Sequence, residues 1–249
     1  MRRLAAVACL VAPLAVPAAA GAAQQRTPLR ARLVACTTGA DASARTATFT
    51  ASMPAVAGAA RMAIRFALLQ RMEGDVGFAR VALPAWGRWE RSQPGRTGFI
   101  YTKKVRALRT PGAYRARVRF RWYGPDGRVI RRARRLTRIC RQPDPRPDLQ
   151  AGALMIGPGL AANTATYLLT VRNTGRGPAG PFAVAVITAG MPQPPLGVTG
   201  LAPGESRVVE LAGPQCAPGS TVRFVLDPES AVAESDEADD VVDRGCPVA

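Results

Sequence analysis

The residues whose spacing most suggests chemistry are arginines at every second position of one short segment. They are Arg115, Arg117, Arg119 and Arg121. Apolar residues alternate with them from Tyr114 to Trp122. A period of two is typical of a β-strand, so the four guanidinium groups are predicted to share one face. Because a buried, unpaired arginine is costly, that face should be exposed to solvent.

A second basic segment, residues 128–138, would extend this stripe across a neighbouring strand about 4.8 Å away. The candidate polyanion-binding residues are Arg115, Arg117, Arg119, Arg121, Arg132 and Arg134. Such a patch attracts nucleic acid, anionic polysaccharide or anionic lipid headgroups, and outside the cytoplasm we expect an anionic cell-envelope polymer rather than nucleic acid. Two alternatives remain open. The stripe could be a solvated face that balances an acidic second half, or the arginines could reflect a GC-rich genome.

Four cysteines lie beyond a predicted N-terminal leader: Cys36, Cys140, Cys216 and Cys246. An even number in an exported chain indicates disulfides, and four cysteines allow three connectivities. A proline-rich segment separates the second cysteine from the third, so Cys36–Cys140 and Cys216–Cys246 are the simplest pairs. Four free thiols are the alternative. A zinc site is disfavoured because the chain has no CxxC motif and no histidine.

An acidic run near the C-terminus is a second binding candidate. It comprises Glu234, Asp236, Glu237, Asp239, Asp240 and Asp243. Carboxylates at this density could hold Ca²⁺, although their spacing does not fit an EF-hand loop. A solvated loop and an intramolecular docking surface for the arginines are the alternatives, and no cofactor or metal is assigned from the sequence.

Catalytic residue sets are missing from the sequence. Without histidine the chain has no Ser-His-Asp or Cys-His arrangement, and no imidazole base. The few acidic residues of the first half fall in predicted turns, and no glycine-rich phosphate loop leads into a helix. We therefore expect that the protein is not an enzyme.

The N-terminus has the layout of a secretory signal peptide. A basic Met1-Arg2-Arg3 precedes the apolar residues 4–16, and a run of small residues ends at Ala23. A lipoprotein signal at Cys9 is the alternative, but too little apolar sequence precedes that cysteine. No later segment is long and apolar enough to cross a membrane. The mature chain is predicted to be secreted or associated with the cell envelope.

Residues 141–147 contain three prolines and form a stiff, extended spacer between two domains. The charge changes sign there. Residues 24–143 carry 26 basic and 5 acidic side chains, a net +21, whereas residues 144–249 carry 6 and 12, a net −6. The predicted organisation is a signal peptide (1–23), a basic domain (24–140), the linker (141–147) and a second domain (148–249).

Both halves show mainly the period-two pattern of strands, with turn residues between them. Predicted strands in the first half span 29–36, 46–51, 62–69, 76–83, 98–108, 114–122 and 128–140, and those in the second half span 164–173, 182–188, 207–211, 220–227 and 240–244. The segment 108–114 also resembles a tyrosine corner, with Tyr114 bonding back to the preceding crossover. Four aromatic residues, Trp86, Trp89, Phe99 and Tyr101, are expected to fill the core, with a binding platform as the alternative. The predicted fold class is all-β, with two Ig-like antiparallel β-sandwich domains in tandem.

Several short motifs follow one another in the second half. They are Pro147-Asp148-Leu149, Val171-Arg172-Asn173-Thr174-Gly175, Leu201-Ala202-Pro203-Gly204-Glu205-Ser206 and the acidic segment 232–240. In this order they resemble CARDB, the cell-adhesion-related Ig-like domain found in bacteria. Asp239-Asp240 stands where that family usually has Asn-Asn. The resemblance covers about the last hundred residues and implies an Ig-like fold with an interaction role.

Together these patterns predict an exported surface or adhesion protein that presents Ig-like surfaces to envelope polymers or to another surface protein. The alternative is a structural spacer whose sandwich domains bind nothing.

Overall fold

The computed structural model describes residues 27–246, so the predicted signal peptide (1–23) lies outside the described residues. Within this range the regular secondary structure is almost entirely β, as predicted. Its one helical element is a three-residue 3-10 turn, Ala42–Ala44. No helix within the described range is long and apolar enough to span a membrane.

Nine strands form the first half. They are β1 (Arg30–Thr37), β2 (Thr46–Pro54), β3 (Arg61–Met72), β4 (Ala79–Arg80), β5 (Trp89–Arg91), β6 (Gly98–Val105), β7 (Gly112–Tyr123), β8 (Val129–Leu136) and β9 (Cys140–Gln142). One antiparallel sheet has the order β1-β2-β6. The other has the order β4-β3-β7-β8, with β5 also pairing with β3 and β9 with β7. The two sheets enclose one hydrophobic core.

Eight strands form the second half. They are β10 (Leu149–Pro158), β11 (Thr164–Asn173), β12 (Phe182–Thr188), β13 (Met191–Pro192), β14 (Leu196–Val198), β15 (Ser206–Pro214), β16 (Thr221–Leu226) and β17 (Val241–Gly245). One sheet has the order β10-β11-β15, and the other has β13 and β14 beside β12, followed by β16 and β17. A second, separate core lies between these sheets.

The alternation of residues explains which faces are buried. Along β7 the side chains of Tyr114, Val118 and Trp122 are at most 2% exposed, while the intervening arginines point away from the core. The Trp122 indole donates a hydrogen bond to the Pro54 carbonyl at 2.7 Å, so its buried N–H is satisfied.

The tyrosine corner is confirmed. Tyr114 lies at the start of β7, and its hydroxyl donates to the Arg109 carbonyl at 2.9 Å. The bond ties the crossover from β6 to the sheet that carries the arginine stripe.

Both predicted disulfides are present. Cys36 is bonded to Cys140, which joins β1 to β9 and so links the two ends of the first half. Cys216 is bonded to Cys246, which fixes the end of the described chain beside the loop that precedes β16.

The predicted strand at 76–83 is wrong in extent, because only Ala79–Arg80 pairs with β3. The predicted strand at 128–140 divides into β8 and β9. Arg141 and Gln142, assigned to the linker from the sequence, belong to β9. The extended spacer itself therefore begins at Pro143, immediately after the last ladder pairing with β7.

The turn after β11 shows why the Asn-Thr-Gly motif is needed. Asn173 is fully buried, and its amide donates to the carbonyls of Gly177 and Leu201 at 2.8 and 3.1 Å. Its carbonyl oxygen accepts from the backbone N–H groups of Asp148 and Gly175. A Cβ at Gly175 would lie 2.4 to 2.6 Å from backbone atoms of residues 146–148, so only glycine fits there.

Candidate polyanion-binding surface

The surface built around β7 gathers eight arginines, which we call the Arg face. They are Arg65, Arg80, Arg115, Arg117, Arg119, Arg121, Arg132 and Arg134. All six arginines predicted from the sequence belong to it. Arg65 on β3 and Arg80 on β4 were missed, although Arg65 stands in the alternating pattern of 62–68 and could have been found there.

Strand register brings these side chains together. Arg119 at the centre of β7 is opposite Arg65 on β3 and opposite Arg134 on β8. Residues opposite each other in antiparallel strands share a face, so these three form a row across the sheet. A second pair, Arg121 and Arg132, lies beside that row.

Two aromatic rings hold several of the arginine side chains in place. Trp89 stacks with Arg121 at 4.3 Å from ring centroid to guanidinium and with Arg65 at 5.9 Å. Phe78 stacks with Arg115 at 4.0 Å. Cation–π contacts of this kind are worth about 0.5–1 kcal/mol at exposed sites.

The four aromatic residues expected in the core divide between two locations. Trp86, Phe99 and Tyr101 pack against the first core as predicted, and Trp86 makes edge contacts with Phe49 and Phe66. Trp89 does not, because pairing of β5 with the outer edge of β3 places its ring among the arginines. No local pattern distinguishes the two tryptophans in the sequence.

Carboxylates do not neutralise the Arg face. Of the five ion pairs formed within residues 27–246, none includes one of its arginines. The Nε groups of Arg115 and Arg117 are buried and have no hydrogen-bond partner there. Buried donors are normally paired, so these two N–H groups are unsatisfied in this arrangement.

The side chains leave two shallow hollows that meet at Arg119. One is lined by Arg65, Arg80, Arg117 and Arg119. The other, of about 420 Å³, is lined by Trp89 and by residues of β7 and β8 that include Arg121, Arg132 and Arg134. The first, of about 30 Å³, has room for about one water, whereas the second offers guanidinium groups from two strands to an anionic group.

Five residues of the acidic run lie in the connection between β16 and β17, and the sixth, Asp243, lies on β17 itself. Glu234 and Asp240 are buried, whereas Asp236 and Glu237 are exposed. Burial, reinforced by neighbouring carboxylates, raises the pKa of Glu234 to about 7 and that of Asp240 to about 6. None of the five ion pairs connects the run to the Arg face, and Asp243 pairs with Arg223 on the adjacent strand at 2.8 Å.

Comparison with known protein families gives a match for the second half of the chain. The family model CARDB matches residues 146–244. A crystal structure of the CARDB domain of the PF1109 protein from Pyrococcus furiosus, in complex with di-metal ions, is 24% identical; the match covers 42% of this chain and 90% of that one, with a TM-score of 0.35.

Two other solved structures are similar over most of the chain. The class 5 fimbriae chaperone CfaA is 12% identical, with 88% of this chain and all of that one covered and a TM-score of 0.26. Red sea bream transglutaminase is 13% identical, with 88% of this chain and 31% of that one covered and a TM-score of 0.28. No curated protein shows a significant match.

Proposed function

Since residues 146–244 form a CARDB domain, an Ig-like module related to surface adhesion, we propose that this chain is an exported, non-catalytic binding protein. Its Arg face binds an anionic polymer of the cell envelope, and the CARDB domain carries that surface on a second Ig-like scaffold. The two disulfides support a location outside the cytoplasm.

The observation that carries the proposal is the uncompensated charge of the Arg face. Eight guanidinium groups lie on one sheet surface without an ion-pair partner among the described residues. Their mutual repulsion disfavours this arrangement unless solvent ions or an anionic ligand screen it. Aromatic stacking limits the freedom of Arg115 and Arg121 to move apart.

The dimensions favour a polymer over a small anion. Alternate residues on a strand are about 6.6 Å apart, so Arg115 to Arg121 spans about 20 Å along β7, and three strands add about 10 Å across it. An extended chain with repeated phosphate or carboxylate groups can contact several of these arginines together. Arginine favours both groups because it makes bidentate hydrogen bonds.

The absence of catalysis is part of the proposal. It is supported by the lack of any histidine in the sequence and by the scattered acidic residues of the first half. The Arg face itself offers guanidinium groups and aromatic rings, which bind and position anions but do not act as a nucleophile or as a general base at neutral pH.

The test measures binding of the mature protein to three immobilised polymers over a salt series. A poly(glycerol phosphate) surface carries phosphate, alginate carries carboxylate, and neutral dextran is the blank. The variant Arg117→Glu with Arg119→Glu reverses two charges at the centre of the Arg face. We expect it to lower affinity for the anionic polymers by about tenfold or more and to reduce the salt slope by about two.

The matched control is Arg30→Glu with Arg32→Glu. These two arginines are exposed, are also two residues apart, and lie on β1 of the opposite sheet. The control changes the net charge by the same amount. Because the change is on the opposite sheet, the affinity of the control for the anionic polymers should stay within about twofold of the parent. Equal losses in the two variants, or binding that does not depend on salt, would contradict the proposal. Stronger binding to duplex DNA than to either polymer would also contradict it.

A further inference from the structure

Three carboxylates of the acidic run lie close together in the connection between β16 and β17 of the CARDB domain. One oxygen each from Glu234, Glu237 and Asp240 lies within 4.8 Å of the other two. A cation bound at 2.3–2.6 Å from each oxygen needs oxygens no more than about 5 Å apart, so the spacing suits one Ca²⁺-sized ion.

Two of these side chains are buried and incompletely bonded. Glu234 is 1% exposed and Asp240 is 8% exposed. One Glu234 oxygen accepts from the Leu149 N–H, while its other oxygen, Oε1, is buried and has no hydrogen-bond partner among the described residues. The same is true of Asp240 Oδ1. A buried carboxylate oxygen without a donor is costly, and a bound cation would remove that cost.

The surroundings add negative charge. Asp227, at the end of β16, is 4% exposed, and its Oδ1 is also buried without a partner. None of the five ion pairs within residues 27–246 includes Asp227, Glu234, Glu237 or Asp240. Glu237 is exposed, so the cluster has an open side through which an ion and its remaining water ligands can enter.

We propose that Glu234, Glu237 and Asp240 bind a single hard divalent cation, with Ca²⁺ preferred over Mg²⁺. All three ligands are carboxylate oxygens, which Ca²⁺ accepts in mono- or bidentate form and in irregular geometry. Mg²⁺ requires a near-ideal octahedron and retains more of its water, so a cluster of three carboxylates on one loop suits it less well.

The ion would connect the loop before β17 to the start of the domain. The N–H of Leu149, the first residue of β10, already donates to Glu234. The Ser235 N–H donates to the Pro147 carbonyl at 2.8 Å, and the Asp240 carbonyl accepts from Leu226 at 2.8 Å. Occupancy would therefore stiffen the junction between the proline-rich spacer and the CARDB domain, a role independent of the Arg face.

Calorimetric titration of the full mature chain with CaCl₂ tests the site directly. We expect one Ca²⁺ per chain with a Kd on the order of 10⁻⁵ to 10⁻³ M, and at least tenfold weaker Mg²⁺ binding. Differential scanning calorimetry should show that 10 mM Ca²⁺ raises the melting temperature of the second half by about 5 °C or more over EDTA. All three tryptophans lie in the first half, so tryptophan emission identifies the transition that should not shift.

Glu234→Gln and Asp240→Asn should each weaken Ca²⁺ binding at least tenfold. At pH 8 in EDTA they should not lower the melting temperature, because each removes a buried negative charge; a merely structural role would lower it. Glu237→Gln, at an exposed position, tests the site without disturbing the core. The control is Glu229→Gln, an exposed residue on the same connection, which should bind Ca²⁺ like the parent. No heat of binding and no thermal shift in the parent would overturn the proposal, as would equal weakening by Glu229→Gln.

Discussion

Replacing Tyr114 by phenylalanine tests how the crossover into β7 is held. The ring is 2% exposed and fills the first core, and phenylalanine keeps that packing. The hydroxyl is lost, and with it the 2.9 Å hydrogen bond to the Arg109 carbonyl. The substitution therefore isolates one polar contact of the tyrosine corner from the burial of the aromatic ring.

The expected loss of folding stability depends on which groups are left unpaired after the substitution. A typical intramolecular hydrogen bond contributes about 0.5–1.5 kcal/mol, and a partner that water cannot reach costs about 1–3 kcal/mol when it is left unpaired. Burial also raises the pKa of the Tyr114 hydroxyl. We expect a net loss of about 1–2 kcal/mol, or a fall in melting temperature of roughly 4–10 °C for a domain of this size.

Tryptophan emission is the assay, because Trp86, Trp89 and Trp122 all lie in the first half. Tyr101→Phe is the matched control. Tyr101 is half-buried on β6, and its hydroxyl forms no hydrogen bond within the described part of the chain. The control should change stability by less than about 0.5 kcal/mol. Equal melting temperatures for the two variants would refute the role assigned to the corner.

Two further predictions concern the second half and the disulfides. Asn173→Ala removes four hydrogen bonds from a fully buried side chain and should destabilise the second half by about 3 kcal/mol, measured by calorimetry; a loss under about 1 kcal/mol would contradict this role. Cys36→Ser with Cys140→Ser opens a loop of sequence separation 104, which the chain-entropy model values at about 4–5 kcal/mol. Tryptophan-monitored urea unfolding should show that loss, whereas opening the 30-residue separation of Cys216–Cys246 should leave this signal unchanged.

Alternation in the sequence located the strands that are buried on one face. The predicted strands 164–173 and 182–188 coincide with β11 and β12, because each keeps a strict period of two against the second core. β10 was missed for a local reason. Its register with β11 shifts between Ala151 and Leu154, and the extra residue breaks the period that would have revealed it.

The composition of the Arg face depended on information that one strand does not contain. The face of Arg115 to Arg121 follows from the pattern within β7. Arg65 and Trp89 lie on the Arg face because β3 pairs with β7 and with β5. The sequence pattern does not determine the register of those pairings. The same limit applies to the acidic run, where spacing revealed the density of carboxylates but not the burial of Glu234.

The two candidate sites differ in how far their charged groups are removed from water. On the Arg face, guanidinium groups remain partly in water and lie against aromatic rings, so the repulsion among them is moderated by solvent. At the acidic cluster, two carboxylates are withdrawn from water, so solvent moderates their repulsion much less. Each ligand should stabilise the folded chain according to its concentration relative to its Kd. Added salt should weaken polyanion binding strongly and cation binding less, because buried charges are screened less than exposed ones. A salt series for both ligands separates the two kinds of site.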